Sequence, residues 1–177
     1  MKFRLSSFLI VALTALSSCG SRENDNNNIE NAMPIISTVL QNEQTAMLSI
    51  QAFNSHNVNE ILKNWDSLAT DEGDGTWHPI VGIDSIKYVY SQVLKAIPNI
   101  KVDSLKTLTD NGEHVIVTGQ WTGTFKNDSL KGADTKISFW NGDFFTFSEN
   151  GKIIRHKSIQ SNLAKLAQLG LLNKPNK

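Results

Sequence analysis

The sequence has little cysteine, no excess of either charge and no apolar run long enough to span a bilayer. Its 177 residues contain a single Cys, so an intrachain disulfide framework is excluded. Lys and Arg together number 17, as do Asp and Glu, for a formal net charge of zero. No basic stripe stands out, and clustered Lys and Arg are what nucleic-acid phosphates demand. The histidines at 56, 78, 114 and 156 show no i,i+2 or i,i+4 pairing and have no thiolates beside them, so no metal site is expected. Asp71-Glu72-Gly73-Asp74-Gly75 has the look of a calcium loop, but its twelfth position is Gly82 where such a loop needs a bidentate Glu. Gly-rich phosphate loops, nucleophile elbows and paired-carboxylate motifs are also missing, and no cofactor is implied.

What is present begins with Met1-Lys2-Phe3-Arg4 and a run from Leu5 to Leu16 that is apolar except at Ser6, Ser7 and Thr14. That run is short of the roughly 20 residues a spanning helix needs, and it has the length of a secretory h-region. It ends Leu16-Ser17-Ser18-Cys19-Gly20, which resembles the bacterial lipobox. The resemblance implies cleavage before Cys19, lipidation of that residue with palmitate-like acyl chains, and a cell-envelope protein held to the membrane. Several chains on one residue anchor stably where one is marginal. Gly rather than Asp at position 20 favours the outer membrane over the inner. Residues 1–18 therefore read as signal, and 19–33, polar and rich in Asn, as a flexible tether.

From Pro34 the pattern becomes that of a single domain over 34–172. Ile36, Leu40, Met47, Ile50 and Phe53 mark one stripe of a helix over about 34–54. Asn57 and Glu60 form a capping-box pattern that opens a second helix with Ile61, Leu62 and Trp65 inward. A third helix runs from Asp84 to Ile97, with Ile86 and Tyr90 on its buried side, and stops at Pro98. The period then changes to two. Asn111-Gly112 and Asn150-Gly151 mark tight turns. Strands are expected at Ile100–Val102, from His114 to Trp121, over 135–147 and from Lys152 to Gln160, followed by a short helix ended by Gly170. Asn141-Gly142 predicts a bulge. The layout is α+β: three helices, then a bent antiparallel sheet of four strands wrapped into a cone.

Several segments resemble the SnoaL-like branch of the NTF2-like superfamily. They are Ala52-Phe53-Asn54-Ser55-His56-Asn57-Val58, Gly82-Ile83-Asp84, Ile97-Pro98-Asn99-Ile100, Trp121-Thr122-Gly123-Thr124-Phe125, Asn150-Gly151-Lys152-Ile153-Ile154 and Gln168-Leu169-Gly170. The resemblance covers about residues 36–170. It implies a cone-shaped α+β barrel with a pocket at its wide end, a small-molecule ligand, and a homodimer formed through the outer sheet face. In catalytic members an Asp near the end of the last strand is the acid/base. Its place here is held by Ser161, whose hydroxyl does not titrate usefully near neutral pH.

The residues that could carry chemistry are few. His156, where the family commonly has His, could polarise a carbonyl or bind a carboxylate if it points inward; a sheet-bonded histidine is the plainer alternative. His78 belongs to a loop expected at the cone mouth, where function concentrates. Asp143 follows the expected bulge. Its plainer orientation is toward solvent, but buried among aromatics its pKa would rise and suit acid–base work. Trp77 and Trp121 are candidate pocket walls and Gln160 a polar anchor, with Trp65 and Trp140 as further aromatics. Three readings remain open: a pocket that binds a small apolar or amphipathic molecule, an ester-cyclase, isomerase or hydrolase with a relocated acid/base, and an interaction module filled by its own aromatics.

Overall fold

A computed structural model describes residues 23–76, 78–126, 134–160 and 166–170, with side chains from Ile36 onward. Cys19, Trp77 and Ser161 lie outside the described residues. The order is α1 (Glu23–Gln51), a 3-10 turn (Ala52–Ser55), α2 (Val58–Ile61), β1 (Trp65–Asp71), β2 (Ile80–Val81), α3 (Ile83–Ala96), β3 (Lys101–Thr109), β4 (His114–Phe125), β5 (Thr135–Phe147) and β6 (Ile153–Gln160). The strands form one open six-stranded sheet in the order β2-β1-β6-β5-β4-β3. The α+β class is as expected, but the sheet is mixed: β1 runs parallel to β6, and the other neighbours are antiparallel.

β1 and β2 were not legible as strands. In β1 the buried residues Trp65, Ala69 and Asp71 share one face, but that face includes Ser67 and Asp71 while Leu68 is exposed, so apolar and polar residues do not alternate. Its register against β6 also shifts between Trp65 and Thr70. Trp65, expected on the second helix, begins this strand; α2 ends at Ile61. The bulge expected at Asn141-Gly142 is absent. β4 and β5 pair without a break from His114↔Thr146 to Phe125↔Thr135. The irregularities lie elsewhere, at Asp103/Lys106 on β3, where Ser104 has a φ of 55°, and at Thr146/Phe147 on β5. Extra residues at such points bend the strand and increase its twist, which is how this sheet curves.

α1 starts at Glu23, so residues 23–33, read from sequence as flexible, have helical backbone. Extending an existing helix costs far less than nucleating one. The buried stripe of α1 also differs from expectation. Ile36 and Leu40 are 55% and 59% exposed, while Asn42, Ala46, Ser49 and Ile50 are buried. Small and polar residues on that stripe bring the helix close to the sheet. Asn42 donates from Nδ2 to the Gly112 carbonyl at 2.8 Å. Gly112 has φ 90°, and a Cβ there would stand 2.8 Å from Val39 Cα, so the β3–β4 hairpin accepts only glycine against α1.

β4 buries Val115, Val117 and Trp121 on its inner face, and β5 buries Ile137, Asn141, Asp143, Phe145 and Phe147 on the same side. α3 lays Ile86 and Tyr90 over this face. Burying each large apolar side chain contributes about 1.5–3 kcal/mol. The core thus occupies one end of the curved sheet. At the other end the same face is hollow.

Candidate functional site

The strand registers set the site. Across the inner face Asp71, His156, Phe145 and Val115 are successive partners on β1, β6, β5 and β4. One step along lie Ser158, Asp143 and Val117, and one further step brings Gln160, Asn141 and Gly119. Trp121 and Phe139 form the next rung. Six polar side chains, Asp71, His156, Ser158, Asp143, Gln160 and Asn141, are thereby brought together on a face that is otherwise apolar.

They border a cavity of about 450 Å³ between the sheet, α3 and the end of α1. Its walls include Phe53, Trp65, Tyr90, Trp121, Phe139 and Phe145. The rings support one another: Phe53 meets Trp121 edge-on at 4.8 Å between centroids, and Trp65 meets Tyr90 at 6.0 Å. Trp65 Nε1 donates to Ser49 Oγ at 3.1 Å, and Ser49 Oγ donates to the Ile61 carbonyl at 2.8 Å. Trp65 is thus fixed by a hydrogen bond as well as by packing.

His156 is the centre of the polar group. Its Nδ1 lies 2.9 Å from Asp71 Oδ1 and its Nε2 3.1 Å from Asp143 Oδ1. All three side chains are buried, with Asp71 4%, Asp143 3% and His156 6% exposed. Burial opposes a charged imidazole. Hydrogen bonds to Asp143 and Asp71 and the charges of both outweigh it, and lift His156 to about 9. At neutral pH the ring is therefore an imidazolium donating to a carboxylate from each nitrogen. Asp71 experiences the converse. Burial would raise it, but the hydrogen bond and charge of His156, with the Gly73 N–H at 2.8 Å, hold it below the usual carboxylate range. The Tyr90 hydroxyl stands 3.3 Å from His156 Nδ1, and burial followed by the charge of Asp71 raises its pKa well above 10. Tyr90 stays a neutral hydroxyl.

The two oxygens of Asp143 differ. Oδ1 accepts from His156 Nε2, from Asn141 Nδ2 at 2.9 Å and from Ser158 Oγ at 3.3 Å. Oδ2 is buried and has no hydrogen-bond partner in the protein; Asn141 Oδ1 and Trp121 Nε1 share that condition. Both nitrogens of His156 are committed to carboxylates, so neither offers a lone pair to a metal. Among the described residues no group of three or more His, Cys, Asp or Glu is arranged to hold one.

The sequence candidates sort as follows. His156 points inward and is fully engaged. Asp143, whose plainer orientation was toward solvent, is buried at the cavity wall, because even spacing along an unbroken β5 puts it on the face of Asn141 and Phe145. Trp121, His78 and Gln160 line the cavity, and Gln160 Nε2 donates to Asp74 Oδ2 at 2.8 Å. Trp140 is 55% exposed on the opposite face. Asp71 and Ser158 were missed. Asp71 had been grouped with the loop that follows it, and only the parallel pairing of β1 with β6 reveals that it faces His156.

A family model for the SnoaL-like domain matches residues 46–156. Among solved structures, a candidate polyketide cyclase from Xanthomonas campestris pv. campestris has a TM-score of 0.67 at 13% identity, covering 75% of this chain and 98% of its own. A phenazine biosynthesis-related protein from Pseudomonas aeruginosa has a TM-score of 0.68 at 16% identity, covering 82% and 96%. TerC, co-crystallised with polyporic acid, has a TM-score of 0.60 at 18% identity, covering 73% and 98%. At these identities the likeness is one of fold. No curated protein matches the chain.

Proposed function

The chain belongs to the SnoaL-like domain family, and from that premise we propose that its cavity binds a small, largely apolar molecule on which Asp143 acts as general base. One observation carries this reading: Asp143 has one oxygen held by three donors and the other buried, unpartnered and at the cavity wall. A carboxylate fixed through one oxygen keeps lone pairs on the other for a substrate proton. The apolar surroundings remove the water that would otherwise solvate it. The position that carries the acid/base in catalytic relatives is Ser161 here, so the base is relocated to β5.

The reaction class follows from the groups present. Asp143 Oδ2 takes a proton from a carbon made acidic by a neighbouring carbonyl. His156, already protonated, keeps its donation to Oδ1 and does not compete for that proton. Asp71 holds the imidazolium in orientation from the far side. The proton then returns to the substrate at another atom, which is an isomerisation or a ring-closing addition. Neighbours described as candidate polyketide cyclases fit this class.

The test uses the purified full chain in deuterium oxide with a panel of aryl ketones and β-keto esters, read by mass spectrometry. Wild-type protein is expected to speed deuterium incorporation next to the carbonyl, and Asp143→Asn to lose at least about a hundredfold of that rate. Incorporation at the wild-type rate in the variant removes Asp143 from the chemistry. Ligand retained without any exchange would leave a binding module.

The reading includes location and assembly. The chain is proposed to be anchored at the cell envelope through lipidated Cys19, with the cavity domain outside the bilayer; no described helix is long and apolar enough to cross one. Two copies are proposed to pair through the outer sheet face, where Trp140, Ile159 and Leu108 stand exposed.

A further inference from the structure

The side chains around the cavity differ in what they offer a ligand. Asp71, Glu72, Asp74 and Asp143 line it together with His78 and His156, and among the described residues no Lys or Arg does. Glu72 pairs with Arg155, which lies outside the lining. His156 supplies one positive charge between two carboxylates, so the buried cluster is net negative. Of the four buried atoms without partners among the described residues, three belong to the cavity lining: two acceptors, Asp143 Oδ2 and Asn141 Oδ1, and one donor, Trp121 Nε1. Each belongs to a side chain more than nine-tenths buried that lines the cavity.

Their spacing is set by the sheet. Asn141 and Asp143 are two residues apart on one face of β5, about 7 Å along the strand. Trp121 pairs with Phe139, one such step beyond Asn141 and away from Asp143. A ligand lying along β5 therefore meets acceptors at one end and a donor at the other, with aromatic walls between.

We infer that the cavity selects an uncharged, flat ring compound that has a hydroxyl at one end and a carbonyl at the other, and that it rejects anions. This rests on the reading that the cavity holds a small molecule, and it names that molecule's class. The hydroxyl donates to Asp143 Oδ2 or Asn141 Oδ1, and the carbonyl accepts from Trp121 Nε1. A carboxylate in place of the carbonyl brings a second negative charge toward Asp143 and Asp71. At two strand steps, about 14 Å, and an effective dielectric of about 20, that repulsion corresponds to about sevenfold in affinity. Trp121 is then the residue that orients the ligand.

Four fluorescent naphthalenes test this on the full chain in nanodiscs, with protein-free discs as reference. They are 6-hydroxy-2-acetylnaphthalene, its 6-methoxy ether, 6-hydroxy-2-naphthoate and 2-naphthol. The hydroxy ketone is expected to bind about sevenfold tighter than the naphthoate at pH 7, and about tenfold tighter than the ether. Trp121→Phe keeps the ring and removes the N–H. It is expected to weaken the hydroxy ketone about tenfold and leave 2-naphthol, which has no carbonyl, within a factor of about two. Equal or tighter binding of the naphthoate overturns the charge selection, and equal losses for ketone and naphthol overturn the role of Trp121. Failure of all four probes to bind overturns both this inference and the small-molecule reading. Discrimination without deuterium exchange leaves this inference standing and removes the general base alone.

Discussion

Asp71 and His156 are direct partners in the parallel register of β1 and β6, and their side chains meet at 2.9 Å inside the protein. Because Asp143 holds the opposite ring nitrogen, the imidazolium separates two buried carboxylates. His156→Gln removes the positive charge and leaves two acids facing one another. Breaking a buried ion pair by removing one partner costs about 3–5 kcal/mol. Urea unfolding at pH 7 is expected to show a loss of that size, and a loss below about 1 kcal/mol would show that the acids are neutral in the folded protein.

The same cluster makes stability depend on pH on both sides. His156 titrates at about 9 when folded against 6.5 unfolded, so its contribution is complete below pH 6.5 and is lost as pH rises through 9. Asp71 is lowered from 3.8, so its contribution is present above that pH and is lost as pH falls through its folded value. Stability should be greatest between about pH 4 and 6.5 and decline by a few kcal/mol toward pH 9. Asp71→Asn removes one of the charges raising His156 and should move the alkaline decline to lower pH. Urea midpoints across this range, in wild type and variant, check both directions.

Much of the fold could be read from the chain, and the reason the rest could not is specific. Val115, Val117 and Trp121 alternate cleanly because β4 is paired on both sides and buried on one face. Tyr90 was legible from the helical stripe of α3. β1 was not, because its buried side carries Ala69 and Asp71 while the apolar Leu68 is exposed. The site divides the same way. His156 and Trp121 belong to regular strands and could be named in advance. Asp71 acquires its role from a contact 85 positions along the chain, and local periodicity has no access to that contact. Asp143 was legible as a candidate, but its direction depended on whether Asn141-Gly142 bulged.

The four tryptophans offer a contrast between burial and exposure. Trp65 is buried, bonded to Ser49 and packed on Tyr90, Phe145 and His156. Trp65→Ala is expected to cost about 3–5 kcal/mol. Trp140 lies on the outer face and is 55% exposed, and Trp140→Ser should change the stability of one copy by less than about 0.5 kcal/mol. If that face pairs two copies, sedimentation will show the variant shifting toward monomer at concentrations where wild type is dimeric. An unchanged distribution would place the dimer contact elsewhere or remove it.

Cys19 is the chain's one cysteine, and its sulfur can serve a lipid without competing with any disulfide. A single acyl chain of about fourteen carbons gives only marginal membrane binding, at about 0.8 kcal/mol for each buried CH₂. Two or three chains on one residue make the attachment effectively permanent on the timescale of a fractionation. Cys19→Ser keeps the apolar run from Leu5 to Leu16 but leaves no thiol to acylate. Wild-type protein expressed in a lipoprotein-processing bacterium should enter the detergent phase on cloud-point separation and incorporate labelled palmitate. The Ser variant should incorporate none and should lose its detergent-phase fraction. Detergent partitioning that survives the substitution would mean that the uncleaved segment around residues 5–16, not a lipid, holds the chain to the membrane.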